Sequence, residues 1–309
     1  MGFDAETRLA SPTGSDLHVL TRRARETARA AVQINHGVAE HAARYARFAD
    51  FLSESGFYVY AHDHRGHGKT RAPGAPLGHI GPKATAGTLL KDVETVHRYI
   101  AKEHAGLPII IFGHSMGGMI ALNYALRNGH RLAGAAIWNA PLATRAEALA
   151  GKAVLAWERF RLGSDVPSRL LPKLTFASWA RAFPDRRTDA DWLSRDESEV
   201  DKYIADPLSG WEASIGIWTA LFDLSLKAAD NAALEAARKS LPFMLVGGSE
   251  DPSTKGGKIV RKLESRLREN GFLNLETTIY DGFRHESLNE IGRERAMEDF
   301  GRWAGKLIN

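Results

Sequence analysis

The 309-residue sequence has no cysteine. That absence excludes disulfides, thiolate metal ligands and a cysteine nucleophile, and it leaves the redox compartment open. Long apolar runs are missing too: stretches such as 107–112 are far short of the ~20 residues a membrane helix needs. Charge of one sign is also scarce. Lysine and arginine number 41 against 37 acidic residues, a net +4, and no basic tract is long enough to suggest nucleic acid as a main partner. The opening Met1-Gly2-Phe3-Asp4-Ala5-Glu6 carries no basic segment followed by an apolar one, so no export signal is readable there. The expectation is a soluble, cytoplasmic protein. Hydrophobic residues at 44% and charged residues at 25% disfavour disorder and supply an ample core.

What is present is alternation. Short β-rich runs at 31–34, 57–61, 109–112 and 135–138 are separated by apolar residues at helical spacing, such as Leu89, Val93, Val96 and Ile100. The pattern resumes with strands at 243–246 and 275–280 and a last helix carrying Met297, Phe300 and Ala304. Such alternation predicts an α/β fold: a mostly parallel central sheet with right-handed crossovers and helices on both faces. An antiparallel pair near 6–10 and 16–22 is expected to precede it. Between 142 and 210 the alternation breaks. Four prolines, Trp157, Trp179, Trp192 and a charged block over 181–202 point to a helical insertion above the sheet. The expected division is a core of 1–141 and 211–309 and a cap of 142–210, with the cap's aromatics mostly plain core residues. No internal repeat or low-complexity segment is found.

Gly113-His114-Ser115-Met116-Gly117 fits G-x-S-x-G, between an expected strand and an expected helix. A serine at such a corner sits on a tight turn that exposes its hydroxyl beside the free N–H groups of the helix start. A serine hydroxyl needs a base to take its proton and a third group to orient that base. Those partners are expected as an acid and then a histidine, each in a loop after a late strand. His285 is the only histidine beyond residue 130, and it follows the run at 275–280. The acid is expected after 243–246, where Glu250 and Asp251 both stand. Asp251 is preferred because it lies at the loop tip before Pro252, with Glu250 as the fallback; Asp281 or Asp223 would be surprises. Asn35-His36-Gly37-Val38 occupies the early loop, so the oxyanion donors are assigned to the backbone N–H groups of Val38 and Met116.

Three blocks taken together resemble a known family. His36-Gly37-Val38-Ala39-Glu40-His41 with Arg44-Tyr45, then Ala61-His62-Asp63-His64-Arg65-Gly66-His67-Gly68, then Gly113 to Gly118, are similar to motifs of α/β-hydrolases of the monoacylglycerol lipase and lysophospholipase type. The resemblance covers the sheet and both ends of the chain and is weak across the insertion. It implies an α/β-hydrolase fold, the triad Ser115, Asp251 and His285, ester hydrolysis without a cofactor or metal, and a helical lid admitting an acyl chain. The implied substrate is a small lipid-like ester, with transient contact with a micelle or membrane surface. It also implies that Glu40 and Arg44 hold a glycerol-like headgroup; read from spacing alone, they are an ordinary i,i+4 surface pair. The position three after His285 is Leu288, where members of the family can carry a polar histidine near the headgroup.

Other readings remain. A short-chain or non-lipid esterase, or an amidase, would share the fold. His62, His64 and His67 have H-x-H-x-x-H spacing, which could serve a zinc hydrolase, but such a site needs Asp where Gly66 stands and further late histidines. Gly66 to Thr70 ends like a phosphate loop, yet Asp63 occupies the position that needs glycine. A non-catalytic binding protein of the same fold is the third possibility.

Overall fold

The computed structural model describes residues 2–163 and 166–308. Residues 1, 164, 165 and 309, which fall in the expected core and cap segments, lie outside the described residues. In chain order the elements are β1 (Ala5–Ala10), β2 (Asp16–Arg22), β3 (Ala30–Asn35), α1 (Ala46–Glu54), β4 (Phe57–His62), α2 (Ala86–Glu103), β5 (Ile109–His114), α3 (Met116–Asn128) and β6 (Gly134–Trp138). Then come α4 (Arg145–Leu162), α5 (Leu171–Leu174), α6 (Phe176–Ala180), α7 (Glu197–Ala205), α8 (Ile215–Ala228) and α9 (Asn231–Ala236). The chain closes with β7 (Phe243–Gly248), α10 (Lys258–Glu269), β8 (Leu275–Tyr280) and α11 (Arg293–Lys306).

The strands form one eight-stranded sheet in the order β1-β2-β4-β3-β5-β6-β7-β8. β1 and β2 pair antiparallel, as does β2 with β4; every later pair is parallel. Successive side chains of a strand point to opposite faces, and the central strands are apolar on both. On β5, Ile109 and Ile111 pack among α2, α3 and α8, whereas Ile110 and Phe112 pack against Phe48 of α1 and Phe300 of α11. This buried, two-sided strand is what a parallel sheet covered by helices requires. It also carries Ser115 to its C-terminal end.

The helices α4 to α7 occupy the stretch between β6 and α8, and among the described residues no strand lies there beyond an isolated Pro167–Ser214 bridge. α4 begins on a reciprocal capping box between Thr144 and Glu147, which satisfies two otherwise orphaned N–H groups. Its Gly151 meets α8, where an added Cβ would lie 2.2 Å from the Phe222 ring, so the two helices pack at glycine distance. The three tryptophans expected as core part company: Trp192 is buried, Trp179 half-buried and Trp157 exposed. The sequence reading places no helix at α8, α9 or α10. α8 is too evenly apolar to show a stripe; α10 does show one (Val260, Leu263, Leu267), but it opens on Gly257 without a side-chain cap.

Candidate active site

Ser115 sits at the corner between β5 and α3 with φ 53° and ψ −118°. This left-handed backbone costs an L residue about 1–2 kcal/mol, and its neighbours make it possible. A Cβ on Gly113 would lie 2.0 Å from the Gly117 carbonyl oxygen, and one on Gly117 2.0 Å from that of Asn35. Only glycine at both positions lets α3 start against the end of β3. The first turn of α3 leaves its N–H groups, Met116 among them, without acceptors inside the helix.

The loop after β3 is gripped from both sides. The Gly37 N–H donates to Glu40 Oε1, and His36 Nδ1 donates to the Gly37 carbonyl at 2.7 Å. His36 Nε2 in turn accepts the His64 N–H at 2.9 Å. In a trans peptide N–H and C=O point opposite ways. Holding the Gly37 carbonyl on His36 therefore turns the Val38 N–H away from His36, and Val38 lines the same cavity as Ser115.

Asp251 and His285 come together from the ends of β7 and β8. The imidazole Nδ1 lies 3.1 and 3.2 Å from the two carboxylate oxygens and 2.9 Å from Ser253 Oγ. Asp251 is fully buried and accepts from the Ser253 N–H and hydroxyl, Thr254 Oγ1 and Asn139 Nδ2. Burial alone would raise its carboxyl; the His285 ring, the Asn139 amide and the Ser253 hydroxyl outweigh that and bring it to about 2. Asn139 adopts φ 49°, a conformation asparagine tolerates better than most residues. The other acids considered lie elsewhere. Glu250 is exposed beside Arg284 at 3.9 Å, Asp281 accepts from Ser249, and Asp223 pairs with Lys152. Asp251→Asn is accordingly expected to cut kcat about 10⁴-fold in a well-folded protein, whereas Glu250→Gln leaves it within twofold; steady-state kinetics on one ester compare the two.

Glu40 and Arg44 form no surface pair. Glu40 is buried and Arg44 mostly out of solvent, and Arg44 donates to Glu40 Oε2 at 2.7 Å and to both oxygens of Glu286 at 2.6 and 2.7 Å. Glu40 Oε1 also accepts from Tyr45 at 2.9 Å. His114 connects this network to His285: its Nδ1 faces Glu40 Oε1 at 3.3 Å and its Nε2 faces the His285 carbonyl at 3.0 Å. Both partners only accept, so the two contacts are hydrogen bonds together only when the ring carries a proton on each nitrogen and hence a positive charge. Burial opposes that charge, but Glu40 and Glu286 overcome it and raise the His114 pKa. Glu40 thus ties the early loop, the serine corner and the His285 loop together. Glu286 and His114 were not singled out from sequence, although each adjoins a residue that was.

The histidine block is not arranged for metal: among the described residues no three His, Asp or Glu side chains are grouped to hold an ion. His36, His62, His64 and His67 instead pack ring on ring, with centroids 4.5 Å apart for His36–His64 and 4.6 Å for His62–His64. Asp63 accepts the Lys69 N–H at 2.8 Å and faces His18 Nδ1 at 2.8 Å, shaping the turn that a phosphate loop would have needed open.

Ser115, Val38 and His285 stand on the wall of a cavity of about 800 Å³. Residues 26–292 match the protein family described as serine aminopeptidase, S33. The chain belongs to this family. It is 30% identical over 279 residues to the monoacylglycerol lipase of Mycolicibacterium smegmatis, covering 89% of this chain and 88% of that one. The monoglyceride lipase of Homo sapiens is 30% identical over 243 residues, 77% of this chain and 71% of the relative. A thermostable carboxyl esterase from Bacillus coagulans, solved in complex with glycerol, superposes with a TM-score of 0.88 at 26% identity over the whole of both chains. The fold is that of the α/β-hydrolases, and the protein is a carboxylic ester hydrolase of the monoacylglycerol lipase type. Among the described residues no helix of this hydrolase is long and apolar enough to cross a membrane.

Proposed function

We propose that this hydrolase cleaves medium- and long-chain monoacyl esters, monoglycerides and lysophospholipids among them, through an acyl-enzyme on Ser115. Ser115 Oγ attacks the ester carbonyl while His285 Nε2 takes its proton and Asp251 orients the ring. The oxyanion forms between the Val38 and Met116 amides. The imidazolium then protonates the leaving alcohol, and water repeats the cycle on the acyl-enzyme. No cofactor enters these steps. The observation that carries the substrate class is the cavity: at about 800 Å³ it is near the upper end of the ~300–1,000 Å³ typical of ligand pockets, and Met119, Val154, Leu171, Leu221 and Phe222 line it. Glu40 reaches the cavity wall while Arg44 lies behind it. We assign the pair to the polar end of the substrate, with Arg44 acting through Glu40.

In this reading residues 142–210 form the cap and the rest of the chain the core. On α4 and α5, Leu149, Trp157, Phe160 and Leu174 are exposed beside Arg159, Arg161 and Lys173. Exposed apolar side chains with basic neighbours, of this kind, suit transient contact with a micelle or membrane surface. An ester panel varying acyl length, headgroup and aggregation state tests both points. Long monoacyl esters are expected to lead short ones at least tenfold in kcat/KM. Trp157→Ser/Phe160→Ser is expected to lose about fivefold on micellar ester and nothing on dissolved ester. A preference for acetyl esters or amides would overturn the substrate class, and equal rates of the double variant on micelles would overturn the surface contact.

A further inference from the structure

Ser253 is buried two residues beyond Asp251. Its Oγ is 2.7 Å from Asp251 Oδ1 and 2.9 Å from His285 Nδ1, so it approaches the ring nitrogen more closely than either carboxylate oxygen does. Counting protons assigns the roles. An ionised carboxylate only accepts, and Asp251 is held ionised, so the one hydroxyl proton goes to Asp251. The hydroxyl oxygen then presents lone pairs to Nδ1, and Nδ1 must be the donor.

We propose that Ser253 is a positioning residue for the hydrolysis, a third acceptor, beside the two Asp251 oxygens, for the Nδ1 proton of His285. This rests on the roles given above to Ser115, Asp251 and His285. Ser253 and Asp251 together hold the tautomer that keeps the Nε2 lone pair free. When the Ser115 proton moves to Nε2, Nδ1 keeps its own proton and Ser253 keeps its own. The imidazolium charge is met by a carboxylate and by a hydroxyl that the same carboxylate polarises. The proton on Nε2 then leaves with the alcohol, and the ring returns to its starting state.

The Ser253 backbone N–H also donates to Asp251 Oδ1, at 2.9 Å. That bond needs no particular side chain, so Ser253→Ala removes the hydroxyl and leaves the turn. The test is kcat and KM on a soluble p-nitrophenyl ester for the parent, Ser253→Ala, Asp251→Asn and the double variant, with Ser115→Ala as control. Ser253→Ala is expected to lower kcat about tenfold, one charge-assisted hydrogen bond, with KM within twofold. In the Asp251→Asn background the same change is expected to cost less than twofold, because the two acceptors act as one unit. A purely structural role would give the same factor in both backgrounds. That result, a kcat within twofold of the parent, or a loss confined to KM would overturn the proposal. Activity retained by Ser115→Ala would instead overturn the triad itself, a separate outcome in the same experiment.

Discussion

Ser115→Ala is expected to lose about 10⁴- to 10⁶-fold in kcat, the scale seen when one member of a cooperating triad is removed, while the protein still folds. Alanine has the same Cβ as serine, so the φ of 53° costs it no more, and the Ser115 N–H donating to Trp138 at 2.9 Å is untouched. Only the hydroxyl goes. Ser115→Gly sharpens the test, since glycine adopts this backbone freely and the variant should be at least as stable as the parent yet equally inactive. Titration with a fluorophosphonate probe and a thermal melt read the two properties separately. A parent that does not label would return the chain to the non-catalytic reading, and an alanine variant within tenfold of the parent would remove Ser115 from the role of nucleophile.

The protein is also expected to unfold in mild acid, between about pH 5 and 4, because of the imidazoles packed behind the early loop. His62 and His67 are fully buried; burial first, then the neighbouring His36, pushes each down to about 3. His64 is lowered in the same direction for the same reasons. His62 and His64 have no hydrogen-bond partner at either ring nitrogen among the described residues, so a charge there would be uncompensated. The folded pKa is depressed below the unfolded value near 6.5, so the unfolded chain binds more protons as pH falls. Stability is complete above about 6.5 and declines from there towards 3. At pH 4 His62 and His67 each remove about 3 kcal/mol, against the 5–15 kcal/mol typical of a whole domain. His114, whose pKa is raised, works the other way and offsets part of the loss. Circular dichroism against pH measures the midpoint, and His62→Gln, which takes no proton, should lower it by about half a unit. A midpoint below pH 3 that His62→Gln leaves unmoved would show that the cluster does not set acid stability.

Neighbours in sequence were enough for some of this. Strand, corner and helix are contiguous around Ser115, so G-x-S-x-G with its apolar flanks specifies a tight strand–helix corner by local sterics, and His285 stood out as the one histidine late in the chain. The alternation likewise announced the parallel sheet, because periods of two and of 3.6 are local properties. Choices that depend on what arrives from elsewhere were only weakly legible: the loop-tip position before Pro252 favoured Asp251 over Glu250 without a physical reason for its burial. Glu250 and Asp251 are adjacent and chemically alike. Burial and the amide of Asn139, 112 residues upstream, set Asp251 beside His285 and leave Glu250 in solvent. Glu40 and Arg44 have the spacing of a surface pair, and it took Glu286, 242 residues from Arg44, to draw them into a network largely out of solvent. H-x-H-x-x-H has the spacing of a ligand set; Gly66 and the lack of late histidines weighed against one, and the ring contacts show packing. Sequence spacing determines which side chains can share a corner or a helix face; which of them lose their water, and to which partner, is settled only when distant segments close over them, and that desolvation sets their charge and their chemistry.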